Sequence, residues 1–473
     1  MFSIMSLGFL WPKREAWQFA SFLLCCLVIF YTVFLSACGQ IVWAAHSGRV
    51  FQSVKVGTAA VELVCDDKMI IAGGIHPRYV QGQEGQLRAT AFAIEPLPGE
   101  RVIFVSCDVL ILTKDLLQPI LESLETRHGI PRAGVLIAAT HTHHAPSTVR
   151  VHGYGREEAF CQQLQKAILK AVENALDSME PAIPVFAMGV ESTIGQNSRL
   201  LLSDGTIFWI GPRDDAVRPT GPVDVDLPVL AFRRDDGSLK GFFFAHAVHA
   251  IGTVTGNVRS PTFYGLAVQQ LEAELGGIGA YFPGPSGSTH RLDTPPAVAQ
   301  ERIVAAVKQA LEKANVQPLT PLRCTRKEFR FRIRHFDEEA EAKAVEYYCR
   351  KRAGTAADSI IEVFTNMRRE LAPLQGQERT TEIQAIRMGD ICFVGIPAEL
   401  FPSLGLQIRK RSPFRHTYVI QLANDWIGYV PDAEAFELGG YQVWTGFHSY
   451  VAKGTGEEMV EAVVALLEEL AEN

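Results

Sequence analysis

Neither a strong excess of one charge nor a dense, evenly spaced set of cysteines is found in this sequence, and each absence argues against a class of protein. The 473 residues carry 45 basic and 52 acidic side chains, a formal net charge of -7, so the chain lacks the basic footprint of a nucleic-acid binder. Its nine cysteines include no Cys-x-x-Cys pair, which argues against a thiolate zinc knuckle and a disulfide-stapled small fold. Any metal here would need histidine and carboxylate ligands.

Internal repeats, low-complexity linkers and breaks in composition are also missing from residue 54 onward. Instead, apolar segments of strand length alternate with amphipathic segments of helical period, as in 102–112, 114–127, 134–140 and 156–178. Further helices are expected near 262–275 and 297–314, and a charged helical insert at 337–371. This alternation is typical of an α/β protein. We therefore expect residues 54–473 to form a single large domain.

One long hydrophobic run precedes this domain. No charged residue lies between Glu15 and His46, and the run 19–35 is almost entirely apolar after the basic pair at 13 and 14. The arrangement is typical of an export signal or a membrane-spanning helix. It predicts that the body of the protein lies outside the cytoplasm.

Three interpretations of residues 1–45 remain open. The run ends in LSACG (35–39), which resembles a bacterial lipobox, and in a lipoprotein Cys38 would carry the lipid and become the mature N-terminus. The apolar residues with their uncharged flanks are also long enough for an uncleaved anchor across a bilayer of about 30 Å. The third interpretation is a freely secreted protein that is cut near Ala45.

Polar clusters follow four apolar segments, where α/β proteins tend to collect ligands. They are His141-Thr142-His143-His144, His249, Glu399 and Tyr429. On an extended segment, alternate residues point the same way, so we expect His141 and His143 to share one pocket while Thr142 packs away from it. Imidazole and carboxylate are ligands that zinc uses in catalytic sites.

Each cluster taken singly also has an ordinary explanation. A lone histidine such as His249 or His246 is usually a hydrogen-bonded polar residue, Glu399 could cap the following helix, and Tyr429 and Tyr441 could be packing aromatics. Three imidazoles within four residues after a buried strand are harder to explain by packing. That cluster favours metal binding or catalysis.

The order and the amino-acid sequences of these clusters resemble those of the neutral/alkaline non-lysosomal ceramidases and of the bacterial hydrolases that share their N-terminal domain. The resemblance spans most of 54–471. It rests on AATHTHHAP (138–146), GQNSRLLLSDG (195–205), FAHAVHAIG (244–252), SPTFYG (260–265), VGIPAEL (394–400) and NDWIGYVPDAEAFELGGYQVW (424–444). It implies a ceramidase-like catalytic domain with mixed β-sheets flanked by helices, and the chain stops where ceramidases continue into an immunoglobulin-like C-terminal domain.

The resemblance also implies a set of site residues. Those expected to bind zinc are His141, His249, Glu399 and Tyr429. Three further residues would lie around the substrate amide: His143, Arg199 and Tyr441, the last keeping the family's spacing of twelve residues after the zinc-binding tyrosine. Zinc polarises a carbonyl and lowers the pKa of bound water. We expect His143 to move protons, and Tyr441 and Arg199 to donate hydrogen bonds to the oxygen that gains negative charge.

Two further positions carry open predictions. Where ceramidases have a Gly-Asp-Val-Ser-Pro-like stretch with a serine near the metal, this chain reads PGPSGSTHR (283–291), which places His290 at the serine position. His290 is a catalytic candidate or a solvent-facing loop residue. Asp108 would support a ligand histidine or form a turn.

These features together predict an exported zinc-dependent amidohydrolase. It would cleave an N-acyl bond, in a small molecule or a ceramide-like lipid, with zinc-activated water, and it would stay at the membrane through its N-terminal segment. Two alternatives use the same site: an esterase or lactonase, because activated water also attacks esters, and a metal-binding homologue without turnover.

Overall fold

The structure of the protein, a computed structural model, describes residues 54–472, and the predictions for residues 1–45 lie outside this range. The described residues fall into one compact unit. Its α-helices are α1 (Lys114–His128), α2 (Glu158–Asp177), α3 (Thr262–Leu275), α4 (Pro296–Lys313), α5 (Glu338–Arg352), α6 (Ala357–Leu371), α7 (Pro402–Arg411), α8 (Ala433–Leu438) and α9 (Thr455–Glu472).

The strands fall into two main sheets and three short two-stranded pairs. The strands are β1 (Val54–Glu62), β2 (Arg88–Leu97), β3 (Glu100–Cys107), β4 (Val135–Ala139), β5 (Glu180–Val190), β6 (Gln196–Asn197), β7 (Leu200–Leu202), β8 (Ala216–Pro219), β9 (Asp226–Arg233), β10 (Leu239–His246), β11 (Ile278–Pro283), β12 (Thr289–His290), β13 (Asn315–Val316), β14 (Leu322–Arg332), β15 (Glu378–Met388), β16 (Ile391–Gly395), β17 (Glu399–Leu400), β18 (His416–Ile420) and β19 (Tyr429–Val430).

The larger sheet is mixed and curls on itself. Its order is β11-β10-β9-β5-β1-β2-β3-β4, with β13 added beside β5. The end strand β11 approaches β3, which lies next to the opposite end strand β4. The Ser106 hydroxyl of β3 donates to the carbonyl of Tyr281 in β11 at 2.6 Å, and the rings of Phe104 and Phe282 lie 6.1 Å apart. The curl brings the carboxyl ends of β4 and β10 into one region, although the two strands are far apart in the sheet order.

The smaller sheet, of order β14-β15-β16-β18, packs face to face on the larger one. The core between them is apolar and aromatic, with Phe104 and Phe243 of the larger sheet against Phe393 of the smaller. Helices α1–α4 cover the outer side of the larger sheet, and α7 and α9 cover the smaller one. The predicted α/β fold with mixed sheets flanked by helices is confirmed.

Most predicted elements are present, with two differences. The apolar segment 102–112 is a strand only as far as Cys107, because the chain then turns and the amide of Val109 donates to the Cys107 carbonyl. The charged segment 337–371, predicted as one helical insert, is two helices separated at Gly354, whose φ is +56°. No helix within residues 54–472 is long and apolar enough to cross a membrane.

Candidate active site

Two histidines follow the ends of the strands that the curl of the sheet brings together. His141 comes two residues after β4, and His249 comes three residues after β10. The expectation of an extended HTHH segment is wrong, because His141 has φ +66°. This left-handed turn still directs His141 and His143 to one place, while the Thr142 hydroxyl donates to the Ser260 carbonyl at 2.6 Å.

Glu399 and Tyr429 are placed side by side by a short parallel pair of strands. β17 and β19 pair in a register that puts Glu399 opposite Tyr429. The capping alternative for Glu399 is not what the structure shows, because the N-cap of α7 is Phe401 and it has no side-chain cap. This short strand pair therefore places the carboxylate of Glu399 and the phenol of Tyr429 beside the two histidines.

The side-chain tips of these four residues converge on one point. His141 Nε2 and His249 Nε2 lie 3.2 Å and 3.3 Å from Glu399 Oε2. The Tyr429 hydroxyl lies 3.1 Å from His249 Nε2. All four residues are buried, and the exposed fractions of His141, His249 and Glu399 are 3%, 1% and 2%. The four residues predicted to bind zinc therefore form a single buried cluster.

The backbone sets the orientation of each imidazole. Nδ1 of His141, His143 and His249 lies 3.0, 3.2 and 2.8 Å from the carbonyl oxygens of Leu110, Gly73 and Ser286. A carbonyl oxygen only accepts, so each Nδ1 carries the proton and donates. In the neutral rings, the three Nε2 atoms consequently present lone pairs. This is the arrangement in which histidines bind metals.

A cation fits this donor set. Glu399 Oε2 accepts no hydrogen bond from any residue within 54–472, although it is buried and close to two Nε2 atoms. Burial raises the pKa of Glu399, whereas positive charge on the neighbouring His141 and His249 would outweigh burial and hold that pKa well below its usual value. Lone pairs of imidazole, carboxylate and phenol repel one another unless a proton or a cation lies among them, and buried charges are normally paired. A divalent metal ion with these nitrogen and oxygen donors meets that need.

His143 contacts the same Nε2 atom of His141 that faces the carboxylate. Its Nε2 is 3.3 Å from His141 Nε2, and the ligand atoms of His141, His143 and His249 lie within 4.8 Å of one another, a group that could itself hold a metal ion. Burial, followed by the neighbouring His141 and His249, holds the pKa of His143 well below its usual value. His143 therefore offers a neutral nitrogen either to the metal or to a proton.

Tyr441 lies next to this cluster and is held on three sides. Its ring is 6.0 Å from that of Tyr429 and is stacked between Trp209 and His448, each at 4.6 Å. Its hydroxyl lies 3.1 Å from His152 Nε2. His152, His448 and Trp209 were not identified from the sequence. The only signal in the sequence was that His152 and His448 lie within two residues of a glycine, in segments with the composition of turns.

Arg199 is buried beside the segment that carries Tyr441, but its guanidinium is occupied by other groups. Nη2 donates to the carbonyls of Ala435 and Gly439 at 3.1 Å and 2.7 Å, and Nη1 donates to the Gln442 amide oxygen at 3.1 Å. Burial lowers the pKa of Arg199 to about 10. These contacts fix the turn before and after Tyr441. The predicted role of Arg199 at the substrate oxygen stays a prediction.

His290 lies inside the site rather than in solvent. Its ring stacks on that of His249, with centroids 4.3 Å apart, because β12 pairs with β6 and places His290 opposite Gln196. Its Nε2 is buried and has no hydrogen-bond partner in the described part of the chain. Burial, with the neighbouring His249 and His141, holds its pKa well below the usual value. This position is compatible with the predicted catalytic role, which stays a prediction.

Three other polar residues from the sequence analysis have structural contacts instead. Asp108 accepts a hydrogen bond from the backbone amide of Arg88 at 2.9 Å. Burial raises the pKa of Asp108 to about 7. His144 Nε2 accepts from the amide of Gly252 at 2.9 Å. His246 lies between the Tyr264 hydroxyl and the Glu191 carbonyl, at 2.7 and 3.0 Å. The ordinary hydrogen-bonded explanation is therefore the correct one for His246.

Comparisons with known proteins point to one group. No protein-family model matches the sequence. The neutral ceramidase of Drosophila pseudoobscura pseudoobscura is 28% identical over 192 residues, which cover 38% of this chain and 25% of that protein. The neutral ceramidase of Drosophila melanogaster is 27% identical over 203 residues, with the same coverage of both chains. The match thus spans a quarter of the length of these curated relatives.

Solved structures show the likeness over a longer range. The neutral ceramidase of Pseudomonas aeruginosa superposes with a TM-score of 0.68, at 19% identity, over 89% of this chain and 75% of that one. The fold is neutral ceramidase-like. A ceramidase complexed with C2 gives the same TM-score at 18% identity, over 89% and 76% of the two chains. The resemblance to the neutral ceramidases predicted from the sequence is confirmed.

Proposed function

We propose that this protein is a zinc-dependent hydrolase that cleaves the N-acyl (amide) bond of a ceramide-like lipid. The observation that carries the proposal is the buried convergence of His141, His249, Glu399 and Tyr429 within a ceramidase-like fold. The curated relatives are neutral ceramidases, which supports an amide in a lipid as the substrate. The donor set of two imidazoles, one carboxylate and one phenol supports zinc as the ion.

The ion would be held by His141, His249, Glu399 and Tyr429. When bound, zinc polarises the amide carbonyl and lowers the pKa of a water molecule towards neutrality. The backbone carbonyls that accept from the imidazole Nδ1 atoms keep the lone pairs of Nε2 turned inward. Trp426 Nε1 donates to Glu399 Oε1 at 3.2 Å and leaves Oε2 for the ion.

The remaining site residues would handle protons and orientation. His143 has a neutral Nε2 within 3.3 Å of His141, so it can accept a proton from the attacking water and later return it to the leaving nitrogen. His290 Nε2 has no hydrogen-bond partner within residues 54–472, and its ring stacks on that of His249. Tyr441, clamped between Trp209 and His448, touches the substrate beside the scissile bond.

We also propose that water, and not a serine, attacks the acyl carbon. Ser286 Oγ accepts from the Gln421 amide at 2.8 Å, and Ser288 Oγ accepts from the Asn197 amide at 3.3 Å. Neither hydroxyl has a histidine hydrogen-bonded to it within residues 54–472, as an activated serine nucleophile would require. His290 occupies the sequence position at which the ceramidases have their serine.

For location, we propose that the body of the protein lies outside the cytoplasm and stays at the membrane through its N-terminal segment. The support is the uncharged apolar run after Lys13 and Arg14 and the lipobox-like LSACG ending. Lipidation at Cys38, an uncleaved anchor and cleavage near Ala45 are the three outcomes that processing experiments would separate.

The decisive experiment combines metal analysis with turnover. Purified protein is stripped with a chelator, reloaded with zinc, and tested with fluorescent N-acylsphingosine, with the matched ester and with simple N-acyl amides. Zinc-restored release of the fatty acid from the amide is the expected result. Hydrolysis of the ester alone would instead identify an esterase or lactonase. Stoichiometric zinc without any turnover would identify a metal-binding homologue.

A further inference from the structure

The contacts of His152 define which way the hydrogen of the Tyr441 hydroxyl points. His152 Nδ1 lies 3.0 Å from the carbonyl oxygen of Gly74, which can only accept, so Nδ1 carries the proton. Burial lowers the pKa of His152 to about 4, which leaves the ring neutral at pH 7. Its Nε2 is therefore an acceptor, and the hydroxyl of Tyr441, at 3.1 Å, donates to it.

A phenol hydroxyl has one hydrogen, and that of Tyr441 already forms the hydrogen bond to His152. The remaining lone pairs of the Tyr441 oxygen are the groups that it can offer to a substrate. The stacked rings of Trp209 and His448, each 4.6 Å away, hold the phenol on both faces. Rotation of the O–H towards the substrate would give up the bond to His152 and leave a buried Nε2 without a partner, which costs free energy.

We infer that His152 is a positioning residue that makes Tyr441 a hydrogen-bond acceptor, and that Tyr441 thereby selects substrates with an N–H at the scissile bond. This inference rests on the proposed function and names its substrate class: secondary amides in preference to esters. The reason is that a secondary amide donates its N–H to the phenol oxygen, whereas the ester oxygen in the same place has no hydrogen and faces a lone pair. Sites built on a buried hydrogen bond discriminate strongly against analogues that lack the group.

This assignment differs from a donor role for Tyr441 at the carbonyl oxygen, and the two roles make different predictions. Amides and esters develop the same negative charge on the carbonyl oxygen, so a donor there would assist both substrates equally. An acceptor facing the N–H assists only the amide. The ratio of the two activities therefore separates the roles, whatever the absolute rate.

The test measures kcat/KM for N-dodecanoylsphingosine and for its isostere in which an ester oxygen replaces the amide nitrogen, using zinc-loaded full-length protein. We expect Tyr441→Phe and His152→Phe to lower the amide-to-ester ratio about tenfold, the scale of one hydrogen bond. His152→Gln, whose amide oxygen can accept from the phenol, should keep the ratio within about twofold. The double variant Tyr441→Phe/His152→Phe should be no worse than Tyr441→Phe alone, because both changes remove one interaction.

The matched control is His76→Gln. His76 lines the same cavity of about 500 Å³ as His152, but it is exposed and bonds to the Ser359 hydroxyl, so its replacement should leave the ratio unchanged. Equal loss of amide and ester activity in Tyr441→Phe, with the ratio intact, would overturn the inference. So would a ratio in His152→Phe equal to that of the wild type.

A second measurement does not depend on turnover. In protein labelled with ¹⁵N in the imidazole rings, His152, assigned by loss of its signals in His152→Gln, should show the Nδ1–H tautomer, and Tyr441→Phe should shift its Nε2 resonance. An Nε2–H tautomer would overturn the inference. If the wild type cleaves neither substrate, the proposed function fails, whereas this measurement still decides whether His152 accepts from Tyr441.

Discussion

Glu399 Oε2 lies 3.2 Å from His141 Nε2, yet no proton is available between them when the ring is neutral, because the His141 Nδ1 donates to the Leu110 carbonyl. The contact therefore joins two lone pairs at the bottom of a buried site. The same holds for Glu399 and His249, at 3.3 Å. A cation between these atoms would turn both repulsions into coordinate bonds.

The first prediction concerns metal content. We expect one zinc per chain, and His141→Ala should abolish stoichiometric binding because it removes one of the four proposed ligands. Tyr441→Phe should keep the metal and lower kcat/KM for the amide about tenfold, because only the hydrogen bond between the phenol oxygen and the substrate is lost. Elemental analysis and kinetics of the two variants check this. Equal loss of metal in both variants would contradict the division between ligands and substrate-facing residues.

The second prediction concerns the support of the carboxylate. Trp426→Phe keeps an aromatic ring at the buried position but removes the indole N–H that donates to Glu399 Oε1. Groups that orient metal ligands typically contribute about 10- to 100-fold to affinity, so zinc affinity should fall by at least about tenfold, measured by competition with a chelator. Trp444→Phe is the control, because Trp444 packs among the aromatic rings of Tyr348 and Phe364 instead. An unchanged affinity in Trp426→Phe would show that Glu399 needs no such support.

The third prediction concerns acid stability. Burial lowers the pKa of His152 to about 4, whereas in the unfolded chain it is about 6.5. The unfolded state therefore binds the proton first, so stability is lost as the pH falls below about 6.5 and the loss levels off near pH 4. Between pH 7 and 5 this one group should cost about 2 kcal/mol of the free energy of unfolding.

Denaturant titrations of metal-free wild type and His152→Gln at both pH values check this prediction. The variant should lose about 2 kcal/mol less than the wild type over the same interval, since glutamine does not titrate. Equal losses would show that His152 is already accessible to protons in the folded protein.

Much of the fold could be predicted from the sequence, because the period at which apolar residues recur distinguishes a helix from a strand within each segment. Helix α3, for example, covers 262–275 as expected. The curl that joins the ends of β4 and β10 could not be predicted, since it depends on contacts such as Ser106 to Tyr281 that are 175 residues apart. The convergence of the four proposed ligands was implied by family resemblance and not by spacing.

The groups around Tyr441 were the part of the site that sequence reasoning missed. Trp209, His152 and His448 come from three separate segments and lie in no motif that points to chemistry. Likewise, the left-handed φ of His141 could not be derived from the HTHH letters, which suggested an extended strand. Local patterns carry no information on which side chain a distant hydroxyl will contact.

The fourth prediction concerns the N-terminal segment, which lies outside the described residues. If the protein is a lipoprotein, Cys38→Ala should block lipid labelling and processing, because attachment requires the thiol. A spanning helix does not need that thiol, so the variant of an anchored protein would remain in the membrane unprocessed. Fractionation and metabolic labelling with a fatty acid distinguish these results. Recovery of the wild type from the cytoplasm would contradict every form of the proposal.

The last prediction follows from the hydroxyls of the 283–291 loop. Ser286 and Ser288 accept from the side-chain amides of Gln421 and Asn197, and the Thr289 hydroxyl is buried without a hydrogen-bond partner among the described residues. A nucleophilic hydroxyl needs a base that takes its proton, and none of the three has a histidine in hydrogen-bond contact within residues 54–472. Direct attack by water should therefore leave no acyl-enzyme.

Mass spectrometry of the protein, quenched during turnover of a slow amide substrate, should accordingly show only the unmodified chain. Ser286→Ala, Ser288→Ala and Thr289→Ala, made one at a time, should each retain activity within about an order of magnitude, because each loses only a hydrogen bond or a packing contact. His143→Ala should cost far more, since it removes the base closest to His141. A covalent acyl adduct on one of the three hydroxyls, together with loss of activity in the matching variant, would replace the water mechanism with a nucleophilic one.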